Sequence, residues 1–287
     1  MDFPLYTEYV NTTFPALAEI PDAPLNVWMR GAVPPRGTKC LAVVGSRDYT
    51  NYGKQVVEYL IGGLRGYPIA IVSGLALGID ALAHKTALST HLYTLAVPGS
   101  GIDDSVIYPS TNRGLAREIL SSGGGLLSEF EPTFNATPWS FPQRNRIMVG
   151  LSHAVLLIEA GEKSGTLITA RLTADYNRDL LAVPGNIFSA NSAGVHQFLK
   201  LGATPVTTPD DILSALGFET DAQTSSPLPS SLTEEEATVL ALLTEPMDQD
   251  SIIRALPHTP ETTIMLLMRM ELAGFIREQN GVFSKVS

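Results

Sequence analysis

The chain has 287 residues, 44% of them hydrophobic and 17% charged, with a formal net charge of −10 and a single cysteine, Cys40. This composition supports one large soluble domain plus a small one; it excludes an internal disulfide and a cysteine-rich zinc site, and no apolar run reaches the roughly 18 residues of a membrane span. The opening MDFPLYTEYVNTTF has no basic cluster followed by an apolar run, so no secretory signal and a cytoplasmic location are expected.

Along the first two thirds of the chain, apolar runs alternate with amphipathic stretches. Leu41–Gly45 (LAVVG), Ile69–Ser73 (IAIVS), Leu92–Val97 (LYTLAV), Ala154–Glu159 (AVLLIE) and Leu180–Pro184 (LLAVP) are continuous enough to be strands buried on both faces. Helices are predicted between them at Tyr52–Arg65, Gly78–Ser89, Asn112–Ser121, Thr166–Asn177 and Ala193–Leu201. Such alternation predicts an α/β fold, a Rossmann-like, doubly wound and mostly parallel sheet, over residues 1–218 with a short N-terminal extension. Ligands of these sheets bind beyond the carboxyl ends of the strands, so the post-strand loops are the place to look.

The first loop, VVGSRDYTNYG, offers a turn at Gly45, the Ser46 hydroxyl and the Arg47 guanidinium, with Gly53 near a helix start whose amides suit an anion. The second, SGLALGIDALAH, sets Gly74 and Gly78 between strand and helix. Asp80 and His84 share a helical face there, and tying the helix to a neighbouring loop is their expected task, because no third ligand or nucleophile accompanies them. Pro98, Gly99 and Gly101 shape a third loop, followed by Asp103 and Asp104 as turn or capping residues.

In WSFPQRNRIMVGLS, Phe141 stands beside Arg144, Asn145 and Arg146, an aromatic platform with two cations, which is how single-stranded nucleic acid is held. Phe141 could instead be core, and one arginine could pair with Glu129 or Glu159, Arg146 being the candidate. The loop IEAGEKSGTLITAR brings Lys163, Ser164, Gly165 and Thr166 to a helix start and is the most phosphate-like of the set. It has neither the spacing of a P-loop nor that of a dinucleotide fold, so generic phosphate affinity without a defined cofactor, and no metal, are expected.

The acidic total argues against nucleic acid, but the charge is uneven. From Asp221 to Ser287 there are ten acidic and four basic side chains, a net of −6, which leaves −4 for the rest. Within 134–178 the cations Arg144, Arg146, Lys163, Arg171 and Arg178 outnumber Glu159, Glu162 and Asp175. A linker is predicted at 219–231 (ETDAQTSSPLPSS). Beyond it, residues 232–287 hold a Thr233/Glu236 capping box opening Glu234–Leu243, helices at Gln249–Leu256 and Pro260–Ala273, and a hairpin turning at Asn280-Gly281. Three helices and a hairpin predict a small C-terminal winged-helix domain, whose acidity favours a protein contact or an interdomain role over duplex DNA.

The segments GSRDYTNYG, SGLALGIDALAH, LAVPGSGIDDSVIYPSTN, LLSEFEP, FPQRNRIMVGLS, EAGEKSGTLITARLTA and AVPGNI…SAGVHQFLKLGA together resemble the DNA-processing protein A (DprA/Smf) family, in its order, from about Phe14 to Val206. The resemblance implies a non-enzymatic protein that binds and protects incoming single-stranded DNA in natural transformation. It also implies loading of the RecA recombinase, work beside single-strand-binding protein and homodimerisation through the Rossmann-like domain. By motif, the DNA contacts would be Ser46, Arg47, Gly74, Phe141, Arg144, Asn145 and Arg146, with Lys163, Ser164, Gly165 and Thr166 completing the pocket. Pro138 stands where some relatives present a lysine, and the chain is expected to begin almost directly before the sheet, without an N-terminal helical domain. The alternatives are a nucleotide phosphoribohydrolase of the related lysine-decarboxylase-like group, whose PGGxGTxxE loop is not matched at Pro98–Gly101, and a nucleotide-binding sensor. Arg47 and Arg144 are the expected phosphate contacts, with Phe141 stacking beside them.

Overall fold

The structure, a computed structural model, describes residues 5–9, 13–162, 164–219, 233–272, 275–279 and 281–285. It forms two compact units, Met1–Thr220 and Asp221–Ser287. Most of the predicted 219–231 linker lies outside the described residues, as do Lys163, Ala273, Gly274 and Asn280.

The first unit is built on a nine-stranded sheet in the order β1-β2-β6-β5-β4-β3-β7-β8-β9. Its strands are β1 (Leu5–Tyr9), β2 (Asn26–Gly31), β3 (Lys39–Val44), β4 (Ile69–Ser73), β5 (Tyr93–Ala96), β6 (Gly125–Ser128), β7 (Ala154–Leu157), β8 (Asp179–Ala182) and β9 (Thr204–Pro205). From β6 across to β9 every pairing is parallel, whereas β2 joins β6, and β1 joins β2, antiparallel. The expected extension ahead of the sheet is thus part of it: residues before Lys39 supply two strands and the short helix α1 (Pro15–Ala18), whose Leu17 is fully buried.

The central strands form because their apolar residues are covered on both sides. Ala42 and Val44 of β3 point into one layer, with Val72, Val155, Ile147, Leu167 and Val195. Leu41 and Val43 point into the other, with Ile71, Leu156, Leu60, Ile61 and Ile79. Each valine, leucine or isoleucine side chain so taken out of water is worth about 1.5–3 kcal/mol. The covering helices are α2 (Asn51–Gly62), α3 (Ile79–Ser89), α4 (Arg113–Ser121), α5 (Ser140–Leu151), α6 (Thr166–Asp175), α7 (Ala193–Lys200) and α8 (Pro209–Ala215). Strand β3 is flanked by β4 on one side and β7 on the other. The chain therefore winds outward in both directions from this strand, which opens a crevice beyond its carboxyl end.

The second unit contains α9 (Glu234–Leu242), α10 (Gln249–Ala255), α11 (Pro260–Leu272) and an antiparallel sheet β10-β12-β11. These strands are β10 (Met247–Asp248), β11 (Ile276–Gln279) and β12 (Val282–Lys285). Its core joins Val239, Leu243, Ile252, Leu267, Met270, Ile276 and Phe283. Thr233 caps α9 through the box the sequence predicts: its side chain accepts from Glu236 N, and Glu236 accepts from Thr233 N at 2.8 Å. No helix among the described residues is long and apolar enough to cross a membrane.

Candidate nucleic-acid interface

The crevice beyond β3 is a cleft of about 670 Å³ lined mainly by three segments, with Ala76 and Asp80 from a fourth. The turn after β3 contributes Gly45, Ser46, Arg47 and Asp48; α5 contributes Phe141, Arg144, Asn145 and Met148; and the start of α6 contributes Ser164, Gly165, Thr166 and Ile168. With Pro142 beside them, these four residues from α5 follow i, i+3, i+4 and i+7, the spacing of one helical face. That spacing separates the two neighbouring arginines. Arg144 turns into the cleft, whereas Arg146 faces away and pairs with Glu129 and, at 3.4 Å, with Asp22. It lines a separate cavity of about 360 Å³ with Tyr176 and Gln143.

The turn after β3 is held by contacts only glycine allows. Gly78 adopts φ +81°, and a Cβ there would collide with the Ser46 carbonyl and the Arg47 backbone. In that close approach Ile79 N donates to Ser46 O at 3.0 Å, which fixes the start of α3 against the turn. The Ser46 hydroxyl donates to Asp48 O at 2.9 Å and accepts from Asp48 N at 3.1 Å. Arg47 is left exposed, its guanidinium carbon 5.6 Å from the centre of the Phe141 ring.

Beneath it lies a buried polar floor. Arg144 is 5% exposed and donates to the Val97 carbonyl, while Asp80, 7% exposed, accepts from Gly74 N at 3.1 Å. Gly74 lines no part of the cleft wall; it packs under the floor, where any side chain would strike the Arg144 guanidinium and the Asp80 carboxylate. Burial pulls the Arg144 pKa down to about 10, against the opposing effect of Asp80, with Arg47 adding to the fall. Burial likewise pushes the Asp80 carboxyl up, opposed by Arg144 and by hydrogen bonds from Ala76 and Gly74. His84 shares the Asp80 helix, is fully buried, and meets the Thr94 hydroxyl through Nδ1 at 2.7 Å. Both residues thus tie α3 to its neighbours, but Asp80 also lines the cleft, a role that the sequence pattern did not assign. No cluster of metal-ligating side chains occurs among the described residues.

Two helix starts differ from the sequence expectation that their amides await an anion. At α2 the buried Glu159 carboxylate accepts from Thr50 N at 3.0 Å and from the Thr50 hydroxyl at 2.6 Å, and Gly53 N donates to Thr50 Oγ1. Glu159 therefore caps a helix and pairs with neither arginine. At α6 the Ser164 hydroxyl donates to Thr166 Oγ1 at 2.9 Å, and the Thr166 hydroxyl donates to Gly45 O at 3.1 Å. The amides of Thr166, Leu167 and Ile168 also find acceptors within the loop. The segment is braced against β3, and what faces the cleft is hydroxyl oxygen, the exposed Gly165 and the exposed Ile168.

Comparison with known proteins places this arrangement in context. A family model described as DNA recombination-mediator protein A matches residues 6–217, and one described as DprA winged helix domain matches residues 223–281. Protein Smf of Escherichia coli K12 is 34% identical over 281 residues, 95% of this chain and 74% of the relative. DNA processing protein DprA of Streptococcus pneumoniae R6 is 39% identical over 202 residues, 70% of each chain. The X-ray structure of DNA processing protein A from Streptococcus pneumoniae is similar with a TM-score of 0.69 at 37% identity, over 77% of this chain and 76% of that one. A structure of DNA processing protein A from Helicobacter pylori, described as giving insights into its single-stranded DNA binding mode, has a TM-score of 0.65 at 28% identity, over 75% of this chain and 96% of that one.

Proposed function

Because the chain belongs to the DNA recombination-mediator protein A family, we propose that it binds single-stranded DNA in the cleft beyond β3, without chemistry on the strand. The observation that carries this reading is an exposed cation, Arg47, set against an aromatic ring, both in the lining of the cleft. Single-stranded nucleic acid is held by that combination of ring and guanidinium. The buried Arg144 adds positive potential from below, and the Ser164, Thr166 and Asn145 side chains offer neutral polar partners. The single-stranded DNA binding mode named for the Helicobacter pylori protein supports the same reading. Passage of the strand to the RecA recombinase, beside single-strand-binding protein, is the task the family resemblance supports. Homodimerisation through the sheet unit has support in Ile187 and Phe188, 77% and 90% exposed, as apolar residues that a second copy would cover.

The test is a titration of fluorescent oligo-dT at two salt concentrations. Wild-type protein should bind with a salt-dependent affinity. Arg47→Ala should weaken binding by about 10- to 100-fold, the worth of a charge-assisted contact, and flatten the salt slope by about 0.7. Undetectable binding at low salt, with a mononucleotide bound or hydrolysed instead, would overturn the reading.

A further inference from the structure

The ring that the sequence offers for stacking is already occupied. Phe141 is half-buried, and the Arg47 guanidinium lies over it. The Gly99 backbone presses on its Cδ1 and Cε1 edge so closely that a Cβ there would collide. Among the described residues its aromatic neighbour is Tyr108, whose ring centre is 5.7 Å away with the planes inclined at 53°. Tyr108 itself is 53% exposed.

The backbone that presents Tyr108 is firmly held. Ile107 before it is buried, and Asn112 Nδ2 donates to the carbonyls of Leu75 and Ala76 at 2.9 and 3.1 Å. Arg113 Nη2 donates to Ser105 O at 2.6 Å. A large exposed aromatic side chain on a braced loop loses little freedom when a flat ligand settles on it, and a nucleobase is such a ligand. Arg47 and Tyr108 both lie against the Phe141 ring, so a strand whose phosphate meets Arg47 comes within reach of the Tyr108 ring.

We propose that Tyr108 is a base-stacking platform beside the cleft-lining Phe141, and that Phe141 is a positioning residue holding Arg47 over its ring for a phosphate. This inference rests on the single-stranded DNA reading above. A base stacks on the more open ring, and Phe141 keeps its cation. Tyr108 then contributes a contact to bases that is insensitive to sequence and to salt, whereas Phe141 acts through charge.

The experiment compares labelled oligo-dT with an abasic strand of equal length, using the full chain and its Tyr108→Ala, Tyr108→Phe and Phe141→Leu variants, with circular dichroism to confirm folding. Tyr108→Ala should lower oligo-dT affinity by about 5- to 150-fold, the range of a lost base–aromatic stack, with the salt slope and the abasic affinity unchanged. Tyr108→Phe should bind both strands as wild type does. Phe141→Leu should flatten the salt slope and weaken both strands, because Arg47 loses its support. Wild-type affinity for both strands in Tyr108→Ala, or equal losses on both, overturns the inference while the binding reading stands. So does a base-dependent loss in Phe141→Leu alone. Should Tyr108→Ala fail to fold, a wild-type preference for oligo-dT over the abasic strand, retained by Tyr108→Phe, supports the stack, and no preference overturns it. Wild-type protein that binds neither strand fails the binding reading itself.

Discussion

The cleft beyond β3 and the outer face of α11 stand where a doubly wound sheet and a winged helix would each meet a ligand, and they are lined differently. The cleft presents exposed Arg47 above buried Arg144, with Phe141 in its lining and Tyr108 against that ring. Helix α11 presents Met265 and Met268, 71% and 63% exposed, and its one arginine, Arg269, is engaged with Glu236 at 3.2 Å. The acidic total of the chain is an average over these two surfaces. Local charge and the side chain beside it decide what a surface can hold, so a net charge of −10 does not argue against a strand in the cleft.

The largest expected effect tests whether the cleft depends on its buried floor. Asp80→Ala removes the carboxylate beside Arg144 and an acceptor for Gly74 N, and leaves a guanidinium buried without its counter-charge. Leaving a buried donor and a buried charge without their partner should cost about 1–3 kcal/mol. Urea denaturation of the full chain should show that loss in the sheet unit and leave the winged unit's transition in place. A change below about 1 kcal/mol would mean that the floor is not what holds the cleft's shape.

Acidification should separate the units next. An unfolded imidazole takes up a proton near pH 6.5, but burial holds the His84 pKa down to about 3. As pH falls below 6.5 the unfolded chain binds a proton that the folded chain refuses. The stabilisation is therefore complete above 6.5 and is lost progressively toward 3. His153, also pulled down by burial, acts in the same sense. Between pH 7 and pH 5 the sheet unit should lose about 2 kcal/mol on account of His84, and His84→Gln should flatten that dependence. Stability that holds constant over this range would contradict the buried neutral state.

Much of the fold was legible because β3, β4 and β7 are unbroken apolar runs, a pattern that full burial in a parallel sheet requires. Apart from the short buried β6 (GLLS), what escaped lacks that pattern. Strand β2 (NVWMRG) mixes polar and apolar residues at the antiparallel side of the sheet, and β9 is two residues long. Helix α5 was hidden by Pro142, which is tolerated because a proline in the first turn forgoes an N–H that has no helical partner. With α5 unseen, Arg146 could be named as the arginine to pair with a glutamate but the reason was hidden: residues two apart on a helix lie on opposite faces. The loops gathered at the cleft were recognisable from strand–glycine punctuation. Glu159 as the cap of α2 was not, since Thr50 stands 109 positions away and no local spacing joins them.

A smaller effect separates folding from binding in the winged unit. Thr233→Ala deletes the hydroxyl that accepts from Glu236 N and should cost that unit about 1 kcal/mol, read from its own melting transition. Oligo-dT affinity should stay within about twofold of wild type, since one phosphate contact is worth more than that. A larger fall would tie strand binding to the integrity of the winged unit.

The smallest expected effect bears most directly on the contrast between the two surfaces. Arg269 is the cation α11 could offer to a phosphate, and its Nε is already paired with the Glu236 carboxylate. To grip DNA it would have to leave that partner, on a helix whose exposed neighbours Ile264, Met265 and Met268 gain nothing from a phosphate backbone. Arg269→Ala should therefore change the salt slope for single-stranded or duplex DNA by less than about 0.1, where a true phosphate contact contributes about 0.7 or 0.9. Affinity should move by less than about twofold, and stability by no more than about 1 kcal/mol, as expected for a half-exposed ion pair. A full unit of slope lost on duplex DNA would give α11 a phosphate contact despite its methionines, and the two surfaces would then differ in the nucleic acid they take rather than in whether they take one.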